Sequence, residues 1–121
     1  MENQNQQLPQ GLEVKYYTGA GYDRTHICGT WCVAYLNQCE EYIHNTYVER
    51  HTMTDEVFVL LHGTATLYIG KEHRGVEMEP YKIYNVTKGT WHNIVVSVDA
   101  GVLIAENSDT DRTNTDYYYL P

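Results

Sequence analysis

From Gly11 onward, apolar and polar positions come in short bursts, and no apolar repeat of helical period is sustained over three turns. Val, Ile, Thr and Tyr gather into short segments divided by Gly, Asn and Asp clusters, which is the pattern of an all-β chain. It predicts strands at Trp31 to Asn37, Glu56 to Leu61, Thr64 to Ile69, Lys82 to Val86, His92 to Val98 and Val102 to Glu106, with a last strand or strap at Tyr117 to Leu120. In the second of these, Phe58 and Leu60 alternate with Val57 and Val59, so both faces are apolar and the strand is expected to be covered on both sides. The charged stretch Gly70 to Gly75 reads as a hairpin turn that leads from Thr64–Ile69 into an antiparallel neighbour. Short strands with turns between them imply a sandwich or barrel, whose closure would dispose of exposed sheet edges.

Composition sharpens this outline. The first ten residues, MENQNQQLPQ, are rich in Gln and Asn and are expected to form a mobile tail, leaving 11–121 as a single domain. A hydrophobic content of 42% is enough to build a core for a chain of 121 residues. Tyr outnumbers Phe twelve to one, which points to half-buried positions where a ring packs and its hydroxyl meets water or a polar ligand. A formal net charge of -8 repels a phosphate backbone, so nucleic acid is not an expected partner. The longest apolar run, Val57 to Leu61, is far too short for a membrane span, and the N-terminus has neither a basic start nor an apolar stretch; a cytoplasmic protein is the expectation. Cys28, Cys32 and Cys39 are odd in number and are expected to be free thiols; with His26 they lack the Cys-x2-Cys pair of a zinc site.

Candidate chemistry gathers around two segments. Glu49 and His51 are two residues apart and on a strand would share a face. Glu56 heads a strand on the same face as Phe58 and Leu60, where a carboxylate is costly unless a cation or a charged hydrogen-bond partner meets it. His92 follows the turn Lys88 to Trp91 and shares its face with Ile94, Val96 and Val98, so it too is aimed inward. The competing reading makes Glu49, Arg50 and Asp55 an exposed ion-pair cluster, with His51 and His92 as ordinary hydrogen-bonded histidines. His44, His62 and His73 read as surface positions, and Ser108 to Asn114 as a solvated turn lacking the central glycine of a calcium loop.

The spacing His51, Glu56, Gly63, followed by Gly89 and His92, resembles the two motifs of the cupin superfamily, over roughly residues 30 to 108. The sequence departs from those motifs at several positions: Glu49 stands where the family has its first histidine, and Ile43, Tyr81, Thr87 and Val96 replace family Gly, Pro and Asn. The resemblance implies a single-domain jelly-roll β-barrel holding a divalent metal on Glu49, His51, Glu56 and His92. Such a mixed imidazole and carboxylate set suits iron, manganese, zinc or nickel. It also implies a pocket for a small polar metabolite such as a sugar or keto acid, lined by aromatic residues such as Tyr35, Tyr47 or Phe58. A carboxylate not needed as a ligand, Glu49 first among them, would then be the general base. The family includes isomerases, lyases and dioxygenases, and also binding modules without catalysis, so both outcomes stay open at this point. Homodimers are a further implication of the resemblance.

Overall fold

Alternation along each strand sends every second side chain to one side, and the computed structural model, which describes residues 7–121, is organised by that rule. Its ten strands are β1 (Tyr22–Cys28), β2 (Trp31–Leu36), β3 (Tyr47–His51), β4 (Glu56–His62), β5 (Ala65–Ile69), β6 (Arg74–Glu77), β7 (Ile83–Val86), β8 (His92–Val96), β9 (Gly101–Asn107) and β10 (Thr115–Tyr119). They form two five-stranded sheets, ordered β1-β2-β9-β4-β7 and β10-β3-β8-β5-β6, and every pairing is antiparallel. The expected jelly roll is present as two facing sheets, whose ladders do not join into a closed cylinder.

Register divides the space between the sheets into layers. In the first sheet Ala34 and Phe58 flank Ile104, and one step along Leu36 and Leu60 flank Val102. In the second sheet Leu67 pairs with Ile94, and Ala65 with Val96. All ten are buried and belong to one hydrophobic cluster. The same alternation, carried one step the other way, brings Glu56, Glu106 and His92 to the inner face above this apolar floor. A polar layer therefore rests directly on a dry one, and the strand sequences Glu-x-Phe-x-Leu and His-x-Ile-x-Val encode both.

Several expectations are corrected by this arrangement. Strand β4 is buried on one face only: Val57 and Val59 are half-buried, and Val59 stands between Leu103 on β9 and Ile83 on β7, which is 74% exposed. Strand β8 ends at Val96, because the chain turns before Val98, which is 83% exposed. The hairpin turn is shorter than Gly70–Gly75, since Arg74 and Gly75 already pair with Ile69 and Tyr68. Strand β1 was missed because Tyr-Asp-Arg-Thr-His-Ile-Cys is mostly polar, and it pairs along β2 with a register shift between Arg24 and His26. Of the expected tail, residues 1–6 lie outside the described residues, while 7–10 are exposed and carry no strand. The three cysteines are free thiols, with Cys32 buried in the core.

Gly63, just after β4, shows how tightly the floor is closed. Its φ of +75° favours glycine, and a Cβ there would lie 2.5 Å from Ala100 Cα. Gly89 has a similar φ, +81°, but open space around it. Gly89→Ala is expected to cost about 1–2 kcal/mol for backbone strain alone. Gly63→Ala should cost at least about 1 kcal/mol more because backbone must also move. Urea-unfolding midpoints of the two variants check this ordering.

Candidate metal centre

The two sheets contribute opposite walls of the polar layer. Glu49 and His51 stand on β3, and His92 opens β8, where it pairs directly with Glu49. Glu56 opens β4 and Glu106 lies near the end of β9, both in the first sheet. His51 and His92 each place Nε2 3.0 Å from the same oxygen, Oε1 of Glu56. Glu49 is looser, with Oε1 3.7 Å from His51 Nε2 and its side chain 30% exposed. The sequence-based candidates Glu49, His51, Glu56 and His92 are thus brought to one place. The ion-pair alternative is not formed: Arg50 pairs with Asp116 across β10, and Asp55 accepts from Asn85 and the Lys88 backbone.

The far nitrogens of the histidines are fixed as well. His92 Nδ1 donates to the Thr90 carbonyl at 2.9 Å, and His51 Nδ1 meets Thr115 Oγ1 at 3.0 Å. With Nδ1 of His92 holding a proton, neutral imidazole turns a lone pair from Nε2 toward a carboxylate oxygen. Two acceptors at that distance need a cation between or beside them, either a second ring proton or a metal ion. Ligand atoms on an ion with bonds of ~2.1 Å stand ~3.0 Å apart at octahedral angles. The two Nε2–Oε1 separations match that spacing. Glu49 with His51 and His92, and His51 with Glu56 and Glu106, each bring their ligand atoms within 4.8 Å of one another. The donor set therefore fits a divalent transition metal.

Electrostatics tie the same groups together. Burial alone would raise the Glu56 carboxyl, but hydrogen bonds and charge from His51 and His92 outweigh it and hold the group well below the usual carboxylate range. Burial would lower both histidines, and Glu56 reverses the sign and raises them. Glu49 is raised, chiefly by burial, against the pull of the two histidines.

The centre forms part of the wall of a cavity of about 240 Å³ between the sheets. Phe58, Ile94 and Ile104 supply its apolar side, while Tyr22, Tyr42, Tyr47 and Tyr117 line its polar parts. Of the three aromatic candidates, Tyr47 and Phe58 line this cavity and Tyr35 does not. It lies on the outer face of β2, where it meets His62 Nε2 at 3.0 Å and lines a separate depression. Alternation explains the correction, since the inward positions of β2 are Cys32, Ala34 and Leu36.

Glu106, Tyr22 and Arg24 were missed. For Glu106 the signal was there: Val102 and Ile104 share its face, the same argument that placed Glu56 above Phe58 and Leu60. Tyr22 and Arg24 gave no signal, because β1 carries no apolar alternation. His44, His62 and His73 stay out of the centre, and His73 stacks on Tyr68 with ring centroids 4.2 Å apart. Ser108–Asn114 forms a turn whose Asp111 caps a short 3-10 helix, Arg112–Asn114, through Thr113 N.

No family model and no curated protein matches the sequence. Among solved structures, the chain resembles Streptomyces Pac13 bound to uridine, a protein described as a nucleoside dehydratase, at 8% identity with a TM-score of 0.64 over 89% of this chain and 93% of that one. A cupin-2 domain protein from Shewanella frigidimarina matches at 16% identity and 0.57, covering 76% and 84%. KdgF from Halomonas matches at 11% and 0.55, covering 76% and 81%. The two facing sheets with a His/Glu cluster between them define a jelly-roll protein with a candidate metal centre. In particular, the fold is that of the cupins.

The histidine–carboxylate cluster makes stability depend on pH in the chelator-treated protein. A carboxyl held low contributes fully above its ordinary 4.5 and loses that contribution as pH falls through its depressed value. Histidines held high contribute fully below their ordinary 6.5 and lose it as pH rises through their raised values. Metal-free protein is therefore expected to be most stable between about pH 4.5 and 6.5, and Glu56→Gln to flatten that maximum. Urea midpoints measured in chelator across this range and beyond it check the shape.

Proposed function

We propose that this protein is a metal-dependent enzyme acting on a small, neutral, hydroxylated metabolite of the sugar or nucleoside kind. The observation that carries the reading is the convergence of His51 Nε2 and His92 Nε2 on one oxygen of Glu56 at the wall of a cavity. A bound divalent ion, of iron, manganese, zinc or nickel type, would supply Lewis acidity toward a substrate oxygen. Glu49 is the general base: it faces the same cavity, is held less tightly than Glu56, and has a carboxyl shifted toward the range useful for proton transfer near neutrality.

Charge narrows the substrate class. The cavity lining carries Glu41, Glu49, Glu56, Glu106 and Asp111 against Arg24 and Arg112. Arg24 is already committed, donating to the Ser108 and Thr110 carbonyls at 2.9 and 2.6 Å. Even with the two charges of a bound ion added to the two arginines, the lining has no positive excess to hold a carboxylate substrate such as a keto acid, whereas hydroxyl groups can use both carboxylate acceptors and Tyr hydroxyls. A volume of about 240 Å³ lies just below the range typical of drug-sized pockets, which favours a small ligand. The likeness to a structure holding uridine supports the same class.

A non-catalytic binding module is the second reading, favoured by Glu49 standing where the resembling family has a histidine. The homodimer, the cytoplasmic location and the single domain over 11–121 are carried as part of the proposal, and sedimentation equilibrium tests the first of them.

Tag-free protein is expected to hold roughly one equivalent of transition metal, lost in His51→Ala and in His92→Ala, as measured by inductively coupled plasma mass spectrometry. It should also convert at least one member of a panel of sugars and nucleosides when loaded with iron(II) or manganese, with Glu49→Gln lowering kcat by about 100-fold or more. Thermal stabilisation by a panel member without turnover would replace the enzyme by the binding module. Absence of metal, even after adding it back, would remove the metal-dependent reading altogether.

A further inference from the structure

Glu106 is unusual among the buried polar groups, because its Oε1 is sealed from solvent and has no hydrogen-bond partner among the described residues. Its other oxygen is engaged, since Oε2 accepts a short hydrogen bond from the Tyr22 hydroxyl. Tyr22 is itself held by Arg24, whose Nε donates to the hydroxyl at 3.3 Å while the guanidinium spans the Ser108 and Thr110 carbonyls. The carboxylate is thus held at one oxygen while the other is buried and unpaired. A proton on Oε1 would itself be a buried donor without an acceptor, so protonation at that atom leaves it unpaired.

What lies near Glu106 explains the arrangement. Its ligand atom is within 4.8 Å of those of His51 and Glu56, and the β4–β9 register brings Glu56 beside it one step beyond the Val57–Ala105 pair. Glu49 also has its ligand atom within 4.8 Å of those of His51 and His92, but it comes from the sheet that already supplies both histidines, is partly exposed, and has no hydrogen bond among the described residues to position its carboxylate. We propose that Glu106 is a ligand of the metal ion held by His51, Glu56 and His92, with Tyr22 as the residue that positions it. Glu49 is then left off the ion and free to move a proton. The inference rests on the metal-centre reading above.

Calorimetric titration of chelator-treated, tag-free protein with zinc(II) and cobalt(II), beside the cobalt absorption spectrum, tests it. Glu106→Gln keeps the shape of the side chain and removes the anionic donor; it should weaken binding by about 100-fold or more and change the cobalt spectrum. Tyr22→Phe, which releases the clamp, should weaken it by about 10-fold. Glu49→Gln should change affinity by less than about threefold and leave the spectrum as in the parent protein. Circular dichroism of the metal-free variants controls for folding, and should Glu106→Gln fail to fold, Glu106→Asp and Tyr22→Phe carry the comparison.

Parent-like affinity and spectrum in a folded Glu106→Gln would overturn the assignment, whatever Glu49→Gln does, while leaving the metal centre standing. A parent protein that binds neither metal would overturn both. Weakened binding in Glu106→Gln with a changed spectrum, beside near-parent behaviour of Glu49→Gln, supports the assignment; an equal loss in Glu49→Gln would overturn the part that leaves Glu49 off the ion.

Discussion

The arrangement of the polar layer turns on one carboxylate oxygen. Oε1 of Glu56 sits 3.0 Å from two imidazole nitrogens, one from β3 and one from β8, while Glu56 itself belongs to the other sheet. That single atom therefore joins the sheets across a polar inner layer that hydrophobic contact cannot hold. Below it, Phe58, Ile94 and Ile104 close the floor, so the carboxylate has no route to water from underneath. A buried charge in such a place is stable only when it is met by opposite charge with good geometry, and that requirement fixes both histidine rings.

The rest of the centre follows from how those rings are anchored. Thr115, on the edge strand β10, reaches His51 Nδ1, and the Thr90 carbonyl reaches His92 Nδ1. Each Nε2 is thereby turned toward the cavity, in the manner of metal-ligating histidines held by outer partners. Glu49, directly opposite His92 in the ladder, hangs over the same space without being drawn into the hydrogen-bonded core. One layer thus combines a rigid set of donors with a looser carboxylate, a division suited to holding an ion and moving a proton separately.

Legibility of the fold varied with how many neighbours a strand has. β2, β4, β8 and β9 are central or nearly so, bury one face against the core, and show apolar alternation that the sequence displays openly. β1 is an edge strand whose inward residues are Tyr22 and Arg24, so its pattern carried no such signal. Val57 and Val59 misled in the other direction, since they look buried by composition and lie instead on the outer face of the sheet, beside exposed Ile83. The site was legible to a similar degree. His51, Glu56 and His92 were visible because each has a position relative to apolar neighbours or a motif, whereas Tyr35 was misplaced because aromatic character alone does not say which face a residue takes.

Sequence by itself determined the central strands β2, β4, β8 and β9 and the presence of carboxylate and imidazole above their apolar residues, because period-two alternation is a local property of the chain. Tertiary structure alone decided that Glu56 serves both histidines, that Glu106 comes to lie beside His51 and Glu56, and that Tyr22 and Arg24 stand behind it. These are contacts between residues up to 84 positions apart in the chain, as with Tyr22 and Glu106. They depend on strand order and register, which local pattern does not specify and which only the packing of the two sheets sets.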